Sequence, residues 1–212
     1  MPGHGPQDLV WASRAAGVTD SAVLAAVAAV PRAAFVAPQT RGRAYADRPL
    51  PIPHGQVTTQ PSLVARMIEA LSLRGGERVL EVGTGYGWQT ALLGRLAAEV
   101  WSVERFSDVA ATARVHLAGR ANVHVVVGDG SAGLREHAPF DAILVAAAYP
   151  TVPAPLTEQL ATGGRLVQPL GEGGAEEVLA FEKLDGELVR RGRVCSAHFV
   201  RLYGQHGFRE AS

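Results

Sequence analysis

The 212-residue sequence has little of several features that mark particular protein classes. Its single cysteine, Cys195, cannot form an internal disulfide and has no companions for a zinc cluster, so we expect no metal site. No apolar run approaches the ~20 residues of a membrane-spanning helix; the longest, Ala22–Val30, ends at Pro31. The N-terminus lacks the basic start and apolar core of a secretory signal. We therefore expect a cytoplasmic protein that does not bind membranes.

The chain also has no excess of positive or negative charge. Its 20 basic and 20 acidic residues give a formal net charge of zero. This balance removes the positive field typical of a general nucleic-acid binder, and we expect no nucleic-acid partner. Hydrophobic residues make up 47% of the chain and charged residues 19%, which is typical of a folded protein and not of a disordered one. The length suits one large domain, and we expect a monomer.

Short apolar runs alternate with helical patterns through the middle of the chain. The predicted strands of this region are Arg78–Val82, Val100–Val103, Val123–Val127, Ala142–Ala146 and Arg165–Gln168. The helical patterns between them are Tyr86–Ala97, Ser107–Ala118 and Pro155–Leu160. Strands separated by helices indicate right-handed βαβ units and a parallel sheet that is covered on both faces. The sequence therefore predicts an α/β fold.

The N-terminal part has a different style. Two predicted helices, Gln7–Ala16 and Thr19–Val30, precede a proline-rich loop over residues 36–60. A loop of this length is uncommon unless it is functional or disordered. Helical periodicity resumes at Pro61, a residue that suits the first position of a helix. We interpret residues 1–60 as a helical cap and substrate loop.

The C-terminal part changes style again. Val178–Leu184 and Glu187–Val194 flank the dipeptide Asp185-Gly186, which is a strong hairpin signal. Ala197–Tyr203 is a candidate for one more strand. We predict one domain over residues 1–212, with the core at 61–170 and antiparallel strands at one edge of the sheet within 171–212.

Glycines at alternate positions follow the first predicted strand. Residues 79–88 read VLEVGTGYGW, an apolar strand, then Gly83, Gly85 and Gly87, then a helix. Glycine lets the backbone turn sharply and approach a ligand without a Cβ in the way. In open α/β sheets, ligands sit outside the carboxyl ends of the strands. A dinucleotide fingerprint would need glycine where the chain has Trp88, which weakens an NAD interpretation.

Carboxylates end the next two predicted strands. Glu104 lies about 20 residues beyond the glycine loop, where an acidic side chain accepts hydrogen bonds from a ribose diol. Asp129 lies between two glycines, placed to accept from an adenine amino group. Taken singly, each is equally a solvated strand end or an ordinary turn. The whole chain has one lysine, Lys183, so a triphosphate is disfavoured and a phosphate-free nucleoside fits better. S-adenosyl-L-methionine is the common cofactor of that kind.

The sequence resembles the protein-L-isoaspartate O-methyltransferase family, whose members methylate isoaspartyl residues in damaged proteins. The resemblance runs from about Val30 to Phe208, and the proline-rich loop is its most specific part. The segments that carry it are VPRAAFV (30–36), AYADRPLPIPHGQVTTQP (44–61), VLEVGTGYGWQTALL (79–93), VGDG (127–130) and PFDAILVAAAYPTVP (139–153).

The resemblance implies a Rossmann-like methyltransferase sheet of seven strands, mainly parallel, with antiparallel C-terminal edge strands and helices on both faces. It implies S-adenosyl-L-methionine as cofactor and isoaspartyl-containing proteins or peptides as partners. The candidate cofactor-binding residues are Gln60, Pro61, Ser62, Leu63, Glu81, Gly83, Thr84, Gly85, Glu104, Arg105, Asp129 and Gly130.

The same resemblance points to a substrate region in the proline-rich loop. The candidate substrate-binding residues are His54, Gln56, Val57, Thr58 and Ala147. Thr59 occupies the position of the family's active-site serine and is the candidate catalytic residue. Threonine keeps the hydroxyl but adds a methyl group and stiffens χ1. Two further departures from the family pattern are Pro53 in place of a glycine and Val57 in place of a threonine.

Three functions stay open at this point. The first is repair of isoaspartyl residues by methyl esterification. The second is methylation of a specific peptide aspartate by the same fold, which the change from serine to Thr59 motivates. The third is a module that binds the cofactor without catalysis. A carboxylate is already ionised at neutral pH and needs no strong base, so the lack of a recognisable Ser-His-Asp set fits the first two.

Overall fold

A seven-stranded sheet organises the computed structural model, which describes residues 5–209. In chain order, the strands are β1 (Leu50–Pro51), β2 (Val57–Thr58), β3 (Arg78–Val82), β4 (Glu99–Glu104), β5 (Val123–Val127), β6 (Phe140–Val145), β7 (Leu160–Leu170), β8 (Glu176–Leu184) and β9 (Glu187–Ala197). The helices are α1 (Pro6–Ala15), α2 (Ser21–Ala29), α3 (Pro61–Leu71), α4 (Trp88–Leu96), α5 (Ser107–His116) and α6 (Ala154–Gln159), with short 3₁₀ turns at 32–35, 38–43, 130–132 and 135–137.

The order of the strands in the sheet is β5-β4-β3-β6-β7-β8-β9. The first five are parallel, and β8 and β9 run antiparallel to their neighbours. The predicted fold class is therefore confirmed. Since the chain moves outward from β3 to β5 and then returns to pair β6 with β3, the order reverses between β3 and β6. Ligands of open α/β sheets bind outside the carboxyl ends of the strands at such a reversal.

Both faces of the sheet are buried. Successive side chains of β3 belong to different apolar clusters, Val79 to one and Leu80 to the other. The reason is that successive residues of a strand point to opposite faces of the sheet. The first cluster also contains apolar residues of α1 to α4, and the second contains Leu156 of α6. This two-sided burial explains why the central strands read as continuous apolar runs.

The N-terminal helices pack onto the sheet through the start of α4. Asp20 caps α2 by accepting hydrogen bonds from the backbone N–H groups of Ala22 and Val23 at 2.7 and 3.2 Å. At the other end of α2, the Trp88 indole Nε1 donates to the carbonyl of Val30 at 3.1 Å. The residue that breaks the dinucleotide fingerprint therefore ties the helical cap to the glycine loop.

At the C-terminal edge, one prediction is confirmed and one is wrong. Asp185 and Gly186 both have positive φ, at 50° and 89°, and form the predicted hairpin turn between β8 and β9. The expected extra strand at Ala197–Tyr203 is absent from the described residues: β9 ends at Ala197, and the following segment makes an isolated bridge between Ala148 and Arg201.

The apolar residues of this segment have another role, which explains the wrong prediction. The Ala148 N–H donates to the carbonyl of Val200, and the Leu202 N–H donates to the carbonyl of Ala148, each at 2.8 Å. These bonds hold residues 198–203 across the end of β6, where Leu202 is buried. Within the described part of the chain, no helix is long and apolar enough to cross a membrane.

Candidate active site

A cleft opens at the carboxyl ends of β3, β4 and β6. Its empty volume is about 930 Å³, counting the part open to solvent, which lies within the range of small-molecule sites. Four segments contribute most of its walls: the glycine loop at 83–89, the end of β4 at 103–105, the proline-rich loop at 56–59, and the C-terminal segment at 200–203. The walls also include Ala146 and Ala147, which follow β6, and Gly130.

The glycine loop adopts backbone conformations that favour glycine. Gly83, Gly85 and Gly87 have φ values of 97°, 54° and 92°, in the left-handed region where a side chain is strained. A Cβ on Gly83 would also lie 3.4 Å from the Cβ of Ala146. The loop therefore brings bare backbone to the wall of the cleft, as the sequence predicts.

Glu104 ends β4 with its carboxylate against the same loop. Its two oxygens accept from the backbone N–H groups of Gly85 at 2.9 Å and Phe106 at 3.1 Å. A carboxylate has about four acceptor sites, so these two bonds leave acceptor capacity for a ligand hydroxyl. Glu104 lines the cleft, and its role as a ribose acceptor stays a prediction.

Glu81 lies below the glycine loop and outside the lining of the cleft. Its fully buried carboxylate accepts from Gln89 at 3.0 Å, from Thr90 at 2.5 Å and from Ser102. Ser102 in turn is hydrogen-bonded to Thr84, which lines the cleft with Gln89. The position predicted to bind a cofactor thus supports two lining residues from beneath.

Burial raises the pKa of Glu81 to about 7, although hydrogen bonds from Ser102, Thr90 and Gln89 oppose the shift. Desolvation penalises the charged form of the carboxyl group, and the nearby charge of Glu104 acts in the same direction. The folded protein therefore favours the protonated form of Glu81 over a pH range in which an exposed glutamate is ionised.

Asp129 is bound to the C-terminal segment. Its Oδ1 accepts from the backbone N–H and hydroxyl of Ser131 at 2.9 and 2.6 Å, and its Oδ2 accepts from the N–H of Gln205 at 2.7 Å. A Cβ on Gly204 would lie 2.0 Å from Oδ1, so this contact requires glycine. The predicted adenine acceptor is an anchor for residues 204–206 in this structure, whereas the adjacent Gly130 lines the cleft.

A buried arginine holds the proline-rich loop in place. The side chain of Arg32 has no exposed surface and donates to five oxygens of the loop. The acceptors are the carbonyls of Ala44, Ala46, Arg48 and Thr59, at 3.1–3.2 Å, and the hydroxyl of Thr58 at 2.8 Å. Burial lowers the pKa of Arg32 to about 10, against the opposing effect of the Asp47 charge, so the side chain stays charged at neutral pH.

Asp47 holds the residues that follow Thr59. Its carboxylate accepts from the N–H and the hydroxyl of Ser62, both at 2.8 Å, and from the Gln60 amide at 2.9 Å. Thr59 lies between the residues bound by Arg32 and those bound by Asp47, and it lines the cleft. Gln60, Pro61, Ser62 and Leu63, predicted to bind the cofactor, lie outside the lining and form the start of α3.

The tip of the loop is attached to α5. The His54 Nε2 lies 2.9 and 3.0 Å from the carboxylate oxygens of Asp108, and its ring stacks on Phe106 with centroids 4.1 Å apart. The hydrogen bond from His54 lowers the pKa of Asp108. Of the predicted substrate-binding residues, His54 lies outside the lining of the cleft. The other four line it: Gln56, Val57, Thr58 and Ala147.

Sequence reasoning missed two parts of this site. The segment Val200–Tyr203 carries no glycine motif, and its apolar pattern is that of a strand. Arg32 belongs to a segment that resembles the family, but no local pattern shows that a side chain at position 32 reaches residues 44–59.

Arg105, a predicted cofactor residue, does line the cleft, and its guanidinium lies 4.9 Å from the ring of Phe106 and 5.2 Å from that of Tyr203.

Comparison with known proteins shows which family this chain resembles. The family model described as Protein-L-isoaspartate(D-aspartate) O-methyltransferase matches residues 4–207. A protein-L-isoaspartate O-methyltransferase of Anaeromyxobacter dehalogenans (strain 2CP-1 / ATCC BAA-258) is 58% identical over 190 residues, which covers 88% of this chain and 91% of the relative.

Two solved structures share the fold. One protein-L-isoaspartate O-methyltransferase is 29% identical with a TM-score of 0.83, over 95% of this chain and 67% of its own. A Plasmodium falciparum protein, described as a methyltransferase of the same kind in complex with S-adenosyl-L-homocysteine, is 22% identical with a TM-score of 0.80, over 95% of this chain and 99% of its own. The second likeness concerns the fold alone.

The buried carboxyl group of Glu81 generates a prediction about stability and pH. Because the pKa of Glu81 is raised in the folded protein, its protonated carboxyl group contributes its full stabilisation below the unfolded pKa of about 4.5. This contribution to the free energy of unfolding is lost as pH rises to about 7. Glu81→Gln should therefore gain stability relative to the wild type by about 3 kcal/mol between pH 4.5 and pH 8. Urea unfolding at a series of pH values measures this difference, and parallel profiles for the two proteins would contradict it.

The Arg32 contacts generate a second prediction. Thr58→Val removes an acceptor from a buried cation, and it should lower the free energy of unfolding by about 1–3 kcal/mol. The matched control is Thr162→Val at an exposed position of β7, which should change stability by less than about 0.5 kcal/mol. Denaturant unfolding of the three proteins tests the comparison, and equal effects of the two variants would refute the role of Thr58.

Proposed function

The chain belongs to the protein-L-isoaspartate(D-aspartate) O-methyltransferase family, and we propose that the cleft described above carries out this family's reaction with Thr59 at its centre. The protein transfers a methyl group from S-adenosyl-L-methionine to the free carboxylate of isoaspartyl residues in damaged proteins. The observation that carries the assignment of the site is the meeting of the glycine loop, Glu104 and the proline-rich loop in one cleft.

The residues present fit the cofactor. The glycine loop brings backbone without a Cβ to the wall of the cleft at three positions, and Glu104 keeps acceptor capacity for a ribose diol. The P. falciparum fold relative is a complex with S-adenosyl-L-homocysteine, which is consistent with a cofactor of this kind. When bound, S-adenosyl-L-methionine supplies an electrophilic methyl group on a sulfonium sulfur.

The reaction asks little acid–base chemistry of the chain. A carboxylate oxygen of the substrate bonds to the methyl carbon while the carbon–sulfur bond breaks, and its electron pair stays on sulfur. The carboxylate is an anion at neutral pH, so no base has to remove a proton. The chain must instead align the carboxylate and exclude water, and well-oriented groups can contribute on the order of 7–11 kcal/mol to a rate.

Thr59 is the residue proposed for this alignment. Its hydroxyl group can donate to one oxygen of the substrate carboxylate while the other oxygen reacts. The backbone carbonyl of Thr59 is held by Arg32 at 3.2 Å, and α3 begins two residues later. This support from both sides fixes the position of Thr59, which is what a positioning role requires.

The remaining substrate candidates divide by their contacts. Gln56, Val57 and Ala147 line the cleft and are proposed to contact the polypeptide on either side of the damaged residue. The Thr58 hydroxyl accepts from Arg32 and from the Leu50 N–H, so its proposed contribution is to hold the loop. His54 is proposed to fasten the loop to α5. A cytoplasmic location and a monomeric state stay predictions.

The function is tested by methylation of matched peptides that contain either isoaspartate or aspartate at one position. We expect radiolabelled methyl transfer to the isoaspartyl peptide and little to the aspartyl peptide. A preference for the ordinary aspartyl peptide would favour the second candidate function, which the threonine at position 59 motivates. Cofactor binding without transfer to either peptide would point to a binding module.

The role of Thr59 leads to a mutational prediction. Thr59→Val keeps the shape of the side chain but removes the donor, so methyl transfer should fall roughly 10- to 100-fold, the loss of one hydrogen bond to a charged group. The dissociation constant of the cofactor should stay nearly unchanged in calorimetry. Thr59→Ser retains the hydroxyl and should keep activity. Unchanged turnover in the valine variant would reject the assignment.

A further inference from the structure

The charge balance of the reaction limits where a cation is useful in the cleft. Methyl transfer turns a sulfonium and a carboxylate into an uncharged thioether and ester, so charge disappears as the transition state forms. A fixed cation on the reacting carboxylate would stabilise the ground state more than the transition state and would slow the chemical step. An arginine that lines the cleft is therefore better suited to bind a different carboxylate.

Arg201 is such an arginine. It is exposed, it lines the cleft in the C-terminal segment, and its backbone bridges to Ala148, next to Ala147 in the wall. Among residues 5–209, no carboxylate lies within 4.0 Å of its guanidinium. The lining carboxylate, Glu104, is directed to the N–H groups of Gly85 and Phe106.

Uncharged contacts hold the Arg201 side chain in one place. Its Nε donates to the carbonyl of Glu172 at 3.1 Å, and its guanidinium lies 5.0 Å from the centre of the Phe208 ring. The side chain also packs on Gly173, where an added Cβ would lie 3.1 Å from Nε. These contacts fix a planar cation without neutralising it, and a held guanidinium loses less entropy when it binds a carboxylate.

We propose that Arg201 forms an anion-binding subsite at the rim of the cleft. This subsite binds an acidic side chain next to the damaged residue of the polypeptide. The inference rests on the proposed function, since it needs the substrate chain to cross the cleft. It makes Arg201 a specificity-determining residue: its charge should strengthen binding of acidic substrates and leave the chemical step unchanged. Another carboxylate with the same chemistry is that of the cofactor itself, and the experiment separates the two.

The test measures binding and turnover of matched isoaspartyl peptides that carry either Glu or Gln at one of the two positions on each side of the damaged residue. Dissociation constants are measured in the presence of S-adenosyl-L-homocysteine, so this arm does not depend on activity. For at least one position, the wild type should bind the Glu peptide on the order of threefold more tightly, as expected of an exposed ion pair. High salt should reduce the difference.

Arg201→Gln should bring this ratio to about one. The matched control is Arg191→Gln, which removes another exposed arginine, on β9 and paired with Glu182 at 2.7 Å outside the cleft. It should keep the preference of the wild type. The affinity for S-adenosyl-L-homocysteine should be equal in all three proteins.

Three results would overturn the proposal. They are equal affinity of the wild type for Glu and Gln peptides at every position, a preference that survives Arg201→Gln, and a loss of S-adenosyl-L-homocysteine affinity that matches the loss of peptide affinity. The last result would assign Arg201 to the carboxylate of the cofactor. Absence of methyl transfer to every peptide would instead refute the proposed function, because the binding ratios are measured separately.

Discussion

A buried guanidinium determines the shape of the cleft. Arg32 gathers four carbonyls and one hydroxyl of the proline-rich loop, a segment with little regular structure to satisfy its own backbone. Buried carbonyls must find donors, and the two terminal nitrogens of the planar guanidinium supply the donors for all five of these acceptors. These bonds, together with those of His54 to α5 and of Asp47 to the start of α3, hold the loop over the carboxyl ends of the strands. The position of Thr59 follows from it.

Three carboxylates near the strand ends show how similar residues take different roles. Glu104 faces the cleft and keeps acceptor capacity, Glu81 is buried below it, and Asp129 binds the C-terminal segment. Their exposure and donors differ, and of the three only Glu104 lines the cleft. The other two hold parts of the protein that surround the cleft. A site of this kind depends on supporting residues as much as on those that touch the ligand.

The sheet was predictable from the sequence because its strands are short apolar runs, although only the central strands are buried on both faces. Runs such as Arg78–Val82 and Val123–Val127 leave no helical alternative of the right length, and the structure reproduces both bounds. The segment at 197–203 has a similar apolar pattern but gave a wrong strand. Val200 and Leu202 pack with an apolar cluster of the sheet, but the segment is joined to Ala148 by a single bridge and not by a strand ladder. A pattern of burial does not tell which backbone groups pair.

The α/β class, the glycine loop and the carboxylate at the end of β4 could all be inferred from the sequence, since each depends on residues close together in the chain. The folded structure was needed to show that Arg32 reaches Thr59, that Asp129 anchors Gln205, and that Arg201 lies at the rim of the cleft. Arg32 and Thr59 are 27 positions apart in the chain, Asp129 and Gln205 are 76 apart, and Arg201 and its bridge partner Ala148 are 53 apart. Such distances are closed by packing of the whole sheet, which no local pattern records.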